Sequence, residues 1–377
     1  MIKPKLTICF IGTAESIHML KWAKYFSDQG HRVHLISYLV PVAQYDIAGI
    51  NLHLINRTFP IRMWPFNTLL NLPITLIKVK KLIKEIKPDV IHAHYVTSYG
   101  TLASLLGFHP LVTTAWGSDI LITPQKFLPS KWGVKYALRK ADLITCDAEH
   151  MKEAMERFGA ASDKIKVINF GIDTKRFSPG EKDQKLKEKI GLSGYKIVIS
   201  LRNLEPVYDI ETLIKAIPTI LKQIPKTKFI LFGRGSQEEE FKKLSEQLGV
   251  KDSIQFLGWA SNEELPKYLR TADVYVSTSL SDGGIASSTA EAMACGLPVV
   301  ITDVADNKRW VEDGGNGFLI PTKDSRLLAQ KIIYLLRNEN IRRKFGDRNR
   351  RIIEERNDYY KEMAKMEEIY LNLIKRK

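Results

Sequence analysis

Ser279-Leu-Ser-Asp-Gly-Gly-Ile-Ala-Ser-Ser-Thr-Ala-Glu-Ala-Met-Ala-Cys-Gly-Leu-Pro-Val-Val-Ile-Thr302 joins a glycine-bearing loop, a helix start and a buried strand in one short unit. Gly283 and Gly284 carry no Cβ, so the backbone there can come close to a ligand. Ser287, Ser288 and Thr289 suit a helix N-terminus, and the first-turn N–H groups, with the amides of Gly284, Ile285 and Ala286 before them, face an anion. Glu291 follows about one turn in, within reach of a sugar hydroxyl. Gly296 ends the helix, Pro298 keeps it from resuming, and Val299-Val300-Ile301 reads as a strand buried in a sheet. Two readings fit these residues: the phosphate-and-ribose grip of an α/β nucleotide-binding protein, and a plain turn before an amphipathic helix.

Working outward, the chain falls into two similar halves. In the first, Leu6-Thr-Ile-Cys-Phe-Ile11 is a strand, Gly12-Thr-Ala-Glu-Ser16 a turn, and residues 18–29 a helix closed by Gly30. Further strands are expected at 33–37, 90–93, 111–114, 143–145 and 166–169, then at 196–201, 229–232, 254–257, 274–277 and 299–301 in the second half. Strands alternating with helices imply parallel sheets covered on both faces. At 377 residues the chain exceeds what one core usually serves. The charged, turn-rich run Ser178-Pro-Gly-Glu-Lys-Asp-Gln-Lys-Leu-Lys-Glu-Lys189 marks the boundary. The expected domains are 1–180, 181–355 and a C-terminal helix over 356–377.

Composition narrows the function. With 44% hydrophobic and 26% charged residues the chain has the balance of an ordinary soluble protein. Cys9, Cys146 and Cys295 are scattered, without metal spacing, so reduced thiols in the cytoplasm are expected. The opening Met-Ile-Lys-Pro-Lys has no signal-peptide pattern, and no apolar run reaches membrane-spanning length. Gly12-Thr-Ala-Glu-Ser-Ile lacks G-x-G-x-x-G, which disfavours a dehydrogenase. No Ser-His-Asp order, Cys-His pair or metal cluster is visible. The net charge of +15 is uneven: over residues 57–140, 12 Lys and Arg oppose only Glu85, Asp89 and Asp119. There Leu72, Leu76, Val79, Ile83 and Ile86 form one helical stripe, with Lys80, Lys81, Lys84 and Lys87 elsewhere on the helix and Phe59-Pro-Ile-Arg-Met-Trp-Pro-Phe66 just before it. The pattern suits an anionic bilayer surface, and equally a helix packing its stripe on the sheet with a solvated lysine face. No nucleic-acid-binding motif accompanies the charge.

The run Glu291-Ala-Met-Ala-Cys-Gly-Leu-Pro-Val-Val300, continued by Asp303 and by Trp310-Val-Glu-Asp-Gly-Gly-Asn-Gly-Phe-Leu-Ile-Pro321, resembles the C-terminal signature of glycosyltransferase family 4, E-G-F-G-x-P-x-x-E-A-M-A-x-G-x-P-V-V. The resemblance implies the GT-B fold, two Rossmann-like, doubly wound parallel-sheet domains facing across a cleft, and a retaining, metal-independent transfer from a nucleotide-sugar. It further implies a donor held mostly by the second domain, an acceptor on the first, no cofactor, and a terminal helix that crosses back to the first domain.

Site residues follow from the resemblance, with departures. Arg202, after the strand Lys196-to-Leu201, matches the family arginine that contacts the diphosphate; a permanently charged guanidinium can grip phosphate oxygens with two N–H bonds. Tyr208 stands where a lysine usually follows, and Arg234 is a candidate to restore the charge or a surface turn residue. Val112-Thr-Thr-Ala-Trp-Gly-Ser-Asp119 resembles T-x-H-G-x-D: Gly117 and Asp119 match, while Trp116 takes the histidine position, either stacking on sugar or packing as a core aromatic beside Trp132. In E-x7-E the first acid aligns with Gly283, so Asp282, one residue further away, either reaches the sugar through a bulged loop or forms a turn. Gly12, Glu15 and His18 border the donor and acceptor in such proteins, while Glu15 also reads as a surface glutamate and His18 as a helix-packing histidine. The catalytic set is thus Arg202, Asp282 and Asp119; donor contacts are Gly12, Trp116, Gly117, Tyr208, Gly283, Gly284, Ile285, Ala286, Thr289 and Glu291; acceptor contacts are Glu15 and His18. The expected activity is sugar transfer to a lipid-linked or cell-envelope glycan, in the cytoplasm or peripherally on the membrane's cytoplasmic face. A nucleotide-sugar epimerase of the same fold and a non-catalytic nucleotide-binding partner of a glycosyltransferase complex remain as alternatives.

Overall fold

The computed structural model describes residues 4–41, 46–55, 66–126, 128–261, 263–282 and 284–375. Gly283 and the aromatic run over 59–65 lie outside the described residues. The chain divides into two units, Met1–Phe170 with Lys361–Lys377, and Gly171–Tyr360. The first division therefore falls about ten residues before the charged run read as the boundary, and the last helix is counted with the first unit.

Among the described residues, the first unit holds β1 (Thr7–Ile11), β2 (Arg32–Ser37), β3 (Ile50–Leu54), β4 (Val90–His94), β5 (Leu111–Thr114), β6 (Leu143–Cys146) and β7 (Ile165–Val167), in the order β3-β2-β1-β4-β5-β6-β7. The second holds β8 (Lys196–Ser200), β9 (Thr227–Phe232), β10 (Ile254–Gly258), β11 (Val274–Ser277), β12 (Val299–Thr302) and β13 (Gly317–Ile320), in the order β10-β9-β8-β11-β12-β13. Every pairing is parallel. β4, β5, β6, β11 and β12 are buried at every residue, as strands covered by helices on both faces must be. β3 and β13 were not expected. β3 is a half-exposed edge without clean alternation, and β13 is a four-residue Gly-Phe-Leu-Ile run too short to declare itself.

Register shows which helices share a face of the first sheet. Ile91 pairs with Leu111 and Thr113 with Ile144. Laterally paired residues point the same way, so these lie on one face. Under Leu111 and Ile91 pack Val79, Ile83 and Ile86 of the helix Phe66–Ile86; on Ile144 and Cys146 pack Val134, Ala137 and Leu138 of the helix Leu128–Lys140. The predicted stripe is thus a packing stripe, while Lys80, Lys81, Lys84 and Lys87 are exposed. On the other face His92 meets the terminal helix Tyr359–Lys375: its Nδ1 lies 2.5 Å from Tyr370 Oη and its Nε2 2.6 Å from Thr114 Oγ1. Glu367 and Glu362 of that helix add contacts to His31 Nε2 (3.1 Å) and the Asn169 amide (3.0 Å). Among the described residues no helix is long and apolar enough to cross a membrane.

Candidate functional site

In each sheet the strand order reverses beside the first strand of the unit, between β1 and β4 and between β8 and β11. Loops leaving the carboxyl ends of two such strands diverge to opposite sides and open a crevice, the usual ligand position of doubly wound sheets.

In the second unit, Arg202 leaves β8 and Asp282 closes the loop after β11, and the two meet. An Arg202 terminal nitrogen donates to Asp282 Oδ1 and the other donates to Ser288 Oγ at 3.3 Å, with both charged side chains under a tenth exposed. Tyr208, where the family has lysine, lays its ring against the guanidinium at 4.4 Å. Arg202 is therefore held by a carboxylate, a hydroxyl and an aromatic face, which orient a planar cation better than they would an ammonium. Among the described residues its Nε, like Ser200 Oγ two positions earlier in the chain, is buried without a hydrogen-bond partner. Burial raises the Asp282 carboxyl above its usual range, with Arg202 opposing the shift.

The helix Ser287–Ala294 begins where the sequence places it, with Ala286 as an N-cap that offers no side-chain acceptor. Ser288 Oγ instead accepts from the buried Tyr275 hydroxyl at 2.9 Å, and Thr289 Oγ1 lies 3.4 Å from the same oxygen. Gly284 is buried, Ile285 and Ala286 are half-buried, and Glu291 stands half-buried one turn into the helix. Gly296 ends it at φ +77°. The loop from β9 supports Arg202: at Gly233, φ +113°, a Cβ would lie 2.6 Å from the Arg202 carbonyl oxygen, so only glycine lets the two backbones pack. Arg234 itself is exposed, as a turn residue would be.

In the first unit the crevice is aromatic. Trp116 stacks on Phe170 with ring centroids 5.0 Å apart, and His18 lies 5.5 Å from Trp116 and 5.0 Å from Phe170. Burial, and then Lys21, lower the His18 pKa to about 4, so the imidazole is neutral near pH 7. Trp116 does not pack beside Trp132, which is 74% exposed. Glu15 is exposed in the turn before the helix Ile17–Asp28, whose N-cap is Ser16. At Gly12 a Cβ would press on Met19 Sδ at 2.9 Å and on His94 Cβ at 3.4 Å. Gly117, at φ +111°, starts the short helix Ser118–Leu121.

Asp119 lies fully inside the unit. It has no exposed surface, its Oδ1 accepts the Trp116 amide at 2.9 Å and its Oδ2 the Val96 amide at 2.7 Å. Burial lifts its pKa to about 6 against those bonds. Asp119 thus ties the loop after β5 to the loop after β4.

Two residues escaped the sequence reading. His94, at the end of β4, is 2% exposed, leaves both ring nitrogens without a partner among the described residues, and sits 5.5 Å from the Trp116 ring; burial lowers its pKa to about 3. Tyr95 follows at φ +80°, a costly angle for an aromatic residue, and opens a π-turn at Val96–Gly100. The period-two spacing of His92 and His94 could have flagged a pair of histidines on one face of a buried strand.

A crevice at the switch point of each of two parallel sheets, one lined by a caged arginine and a helix start, defines a two-domain α/β protein of the GT-B class. The pattern of the glycosyl transferases group 1 matches residues 182–352 and that of the glycosyl transferase 4-like domain residues 7–148. The chain belongs to this family of glycosyltransferases. It is 28% identical over 349 residues to the putative glycosyltransferase EpsD of Bacillus subtilis, covering 88% of this chain and 87% of that one. It is 27% identical over 335 residues to the phosphatidyl-myo-inositol mannosyltransferase of Mycolicibacterium smegmatis, covering 86% and 81%. The crystal structure of Anabaena HepE in complex with UDP shares the fold, with a TM-score of 0.80 at 22% identity over 98% of this chain and 100% of that one.

Proposed function

We propose that the protein is a retaining, metal-independent glycosyltransferase that moves a sugar from a nucleotide-sugar to a lipid-linked or cell-envelope glycan acceptor. The observation that carries this reading is Arg202 at the switch point of the second sheet, a guanidinium oriented on three sides whose buried Nε has no partner among the described residues, beside a helix start whose N-cap is Ala286. Such an arrangement suits a diphosphate: the arginine and the first-turn amides neutralise charge as it develops on the leaving group, and Glu291 holds ribose hydroxyls. The acceptor hydroxyl attacks the anomeric carbon from the side the diphosphate vacates. The bond from that carbon to the phosphate oxygen breaks with its electron pair, and the departing phosphate takes the acceptor's proton. No protein nucleophile is required. Trp116, His18 and Gly12 would border the sugar and acceptor, and Lys80, Lys81, Lys84 and Lys87 would meet the anionic surface of a membrane carrying a lipid-linked acceptor. The phosphatidylinositol acceptor in one relative's name and the UDP bound by HepE support donor and acceptor classes of this kind.

The test is a thermal-unfolding screen of nucleoside diphosphates and their sugars, then product formation with lipid-linked acceptors in EDTA. One nucleotide should stabilise the chain, by about 2.7 kcal/mol at a hundredfold excess over Kd, and transfer should survive chelation. Strict dependence on added Mn²⁺ or Mg²⁺ defeats the metal-independent reading. Diphosphate binding without any transfer or donor turnover instead supports a non-catalytic partner.

A further inference from the structure

The helix Leu128–Lys140 is amphipathic twice over. Val134, Ala137 and Leu138 pack inward, yet its outer side is not uniformly polar: Leu128, Trp132 and Tyr136, spaced by four, are 70%, 74% and 39% exposed. Steps of four place the three in one ridge along the helix. Lys131, Lys135 and Arg139 are exposed beside that ridge, and the helix contains no acidic residue.

The ridge has neighbours of the same character. The helix Phe66–Ile86 covers the same sheet face, as the Ile91, Leu111, Thr113 and Ile144 register requires, so both helices turn their outer sides to one surface. That outer side carries Ile77, 71% exposed, with Lys80, Lys81 and Lys84, against Glu85 alone as an acid on the helix. Aromatic and aliphatic side chains standing among lysines and arginines match an anionic lipid interface: rings and aliphatic tips enter the headgroup region, and cations meet the phosphates.

We propose that the Leu128–Trp132–Tyr136 ridge is the apolar anchor by which this chain docks on an anionic bilayer, with Lys131, Lys135 and Arg139 contacting headgroup phosphates. It deepens the membrane part of the function proposed above by naming inserted residues on a different helix from the lysines invoked there. Its readout is vesicle binding, so it stands or falls apart from the transfer reaction.

Co-sedimentation with phosphatidylcholine vesicles, with and without phosphatidylglycerol, tests it. The full chain should bind the anionic vesicles and be released by salt. Leu128→Ala with Trp132→Ala should weaken binding by roughly ten- to a hundredfold, and Lys131→Gln, Lys135→Gln and Arg139→Gln by about fivefold each. Unfolding temperature and nucleotide-induced stabilisation should not change, because all five side chains are exposed. Brominated lipids should quench wild-type fluorescence more than that of Trp132→Phe. Wild-type affinity in the Leu128/Trp132 variant overturns the proposal, even if Gln at Lys80, Lys81, Lys84 and Lys87 abolishes binding. Failure of the wild-type chain to bind anionic vesicles overturns it too, as does Trp132-dependent self-association in sedimentation velocity, which would assign the ridge to a second copy.

Discussion

Arg202 and Asp282 are 80 positions apart in the chain and joined in the fold, and that pair carries the finest consequences. An arginine already bonded to a carboxylate is oriented, but it must exchange that partner, or share itself, to grip a diphosphate. Asp282→Asn keeps the shape and removes the charge. Nucleoside diphosphate affinity should then stay level or rise, since the guanidinium no longer answers to an anion, while turnover falls strongly through loss of the group near the sugar. Glu291→Ala should do the reverse at the nucleotide, losing about 1.5–3 kcal/mol of binding as for a hydrogen bond to a charged group. Calorimetry and initial rates on the two variants separate the roles. Weaker diphosphate binding with full turnover in Asp282→Asn would put the aspartate on the nucleotide side and end its assignment to the sugar.

Loops matter next, because Arg202, Trp116 and Asp282 stand in segments that follow strand ends. Arg202 depends on the neighbouring loop through Gly233, whose positive φ and backbone contact leave no space for a Cβ. Gly233→Ala should cost about 1–3 kcal/mol of stability and lower kcat/KM on the order of a hundredfold, since displacing Arg202 by about 1 Å undoes its aim. A variant with wild-type melting and kinetics would show that the loop tolerates the shift and that Arg202 is positioned by Asp282 and Tyr208 alone. Both ends of the helix Ser287–Ala294 were readable in advance at this scale; Gly296 and Pro298 act within a turn of their own positions, while Ser288 and Thr289, expected at the helix start, turn to Tyr275 and leave Ala286 as N-cap. β13 was not, because a four-residue parallel strand takes its stability from β12 beside it.

For the whole molecule, buried neutral histidines push stability down in acid, opposed by the raised carboxyl of Asp119. His94 is held near a pKa of about 3 and His18 and His34 near about 4, all by burial first, against an ordinary 6.5. A depressed folded-state pKa means that the unfolded chain binds more protons below pH 6.5. The stability these sites contribute is therefore complete above 6.5 and is lost as pH falls toward 4 and 3, at up to about 1.4 kcal/mol per pH unit for each group. Denaturant unfolding between neutral pH and pH 4 should show this slope, and His94→Phe, which cannot be protonated, should flatten it. An unchanged slope would mean that His94 in the folded chain titrates near the ordinary value of an imidazole.

Much of the architecture is written locally. The alternation of apolar runs with amphipathic stretches specifies two parallel-sheet halves, and the stretch from Ser279 to Thr302 specifies a loop, a helix and a strand in the right order, because period, caps and turn residues act over a few positions. What those residues touch is decided by strand order and register, which no short window contains. Only the folded chain puts Asp282 on Arg202, buries Asp119 under two backbone amides, stacks Trp116 on Phe170 while leaving Trp132 in solvent, and brings Tyr370 to His92 across 278 positions. The physical reason is the same each time: a side chain's partner is fixed by the sheet beneath it, and the sheet is assembled from strands far apart in sequence.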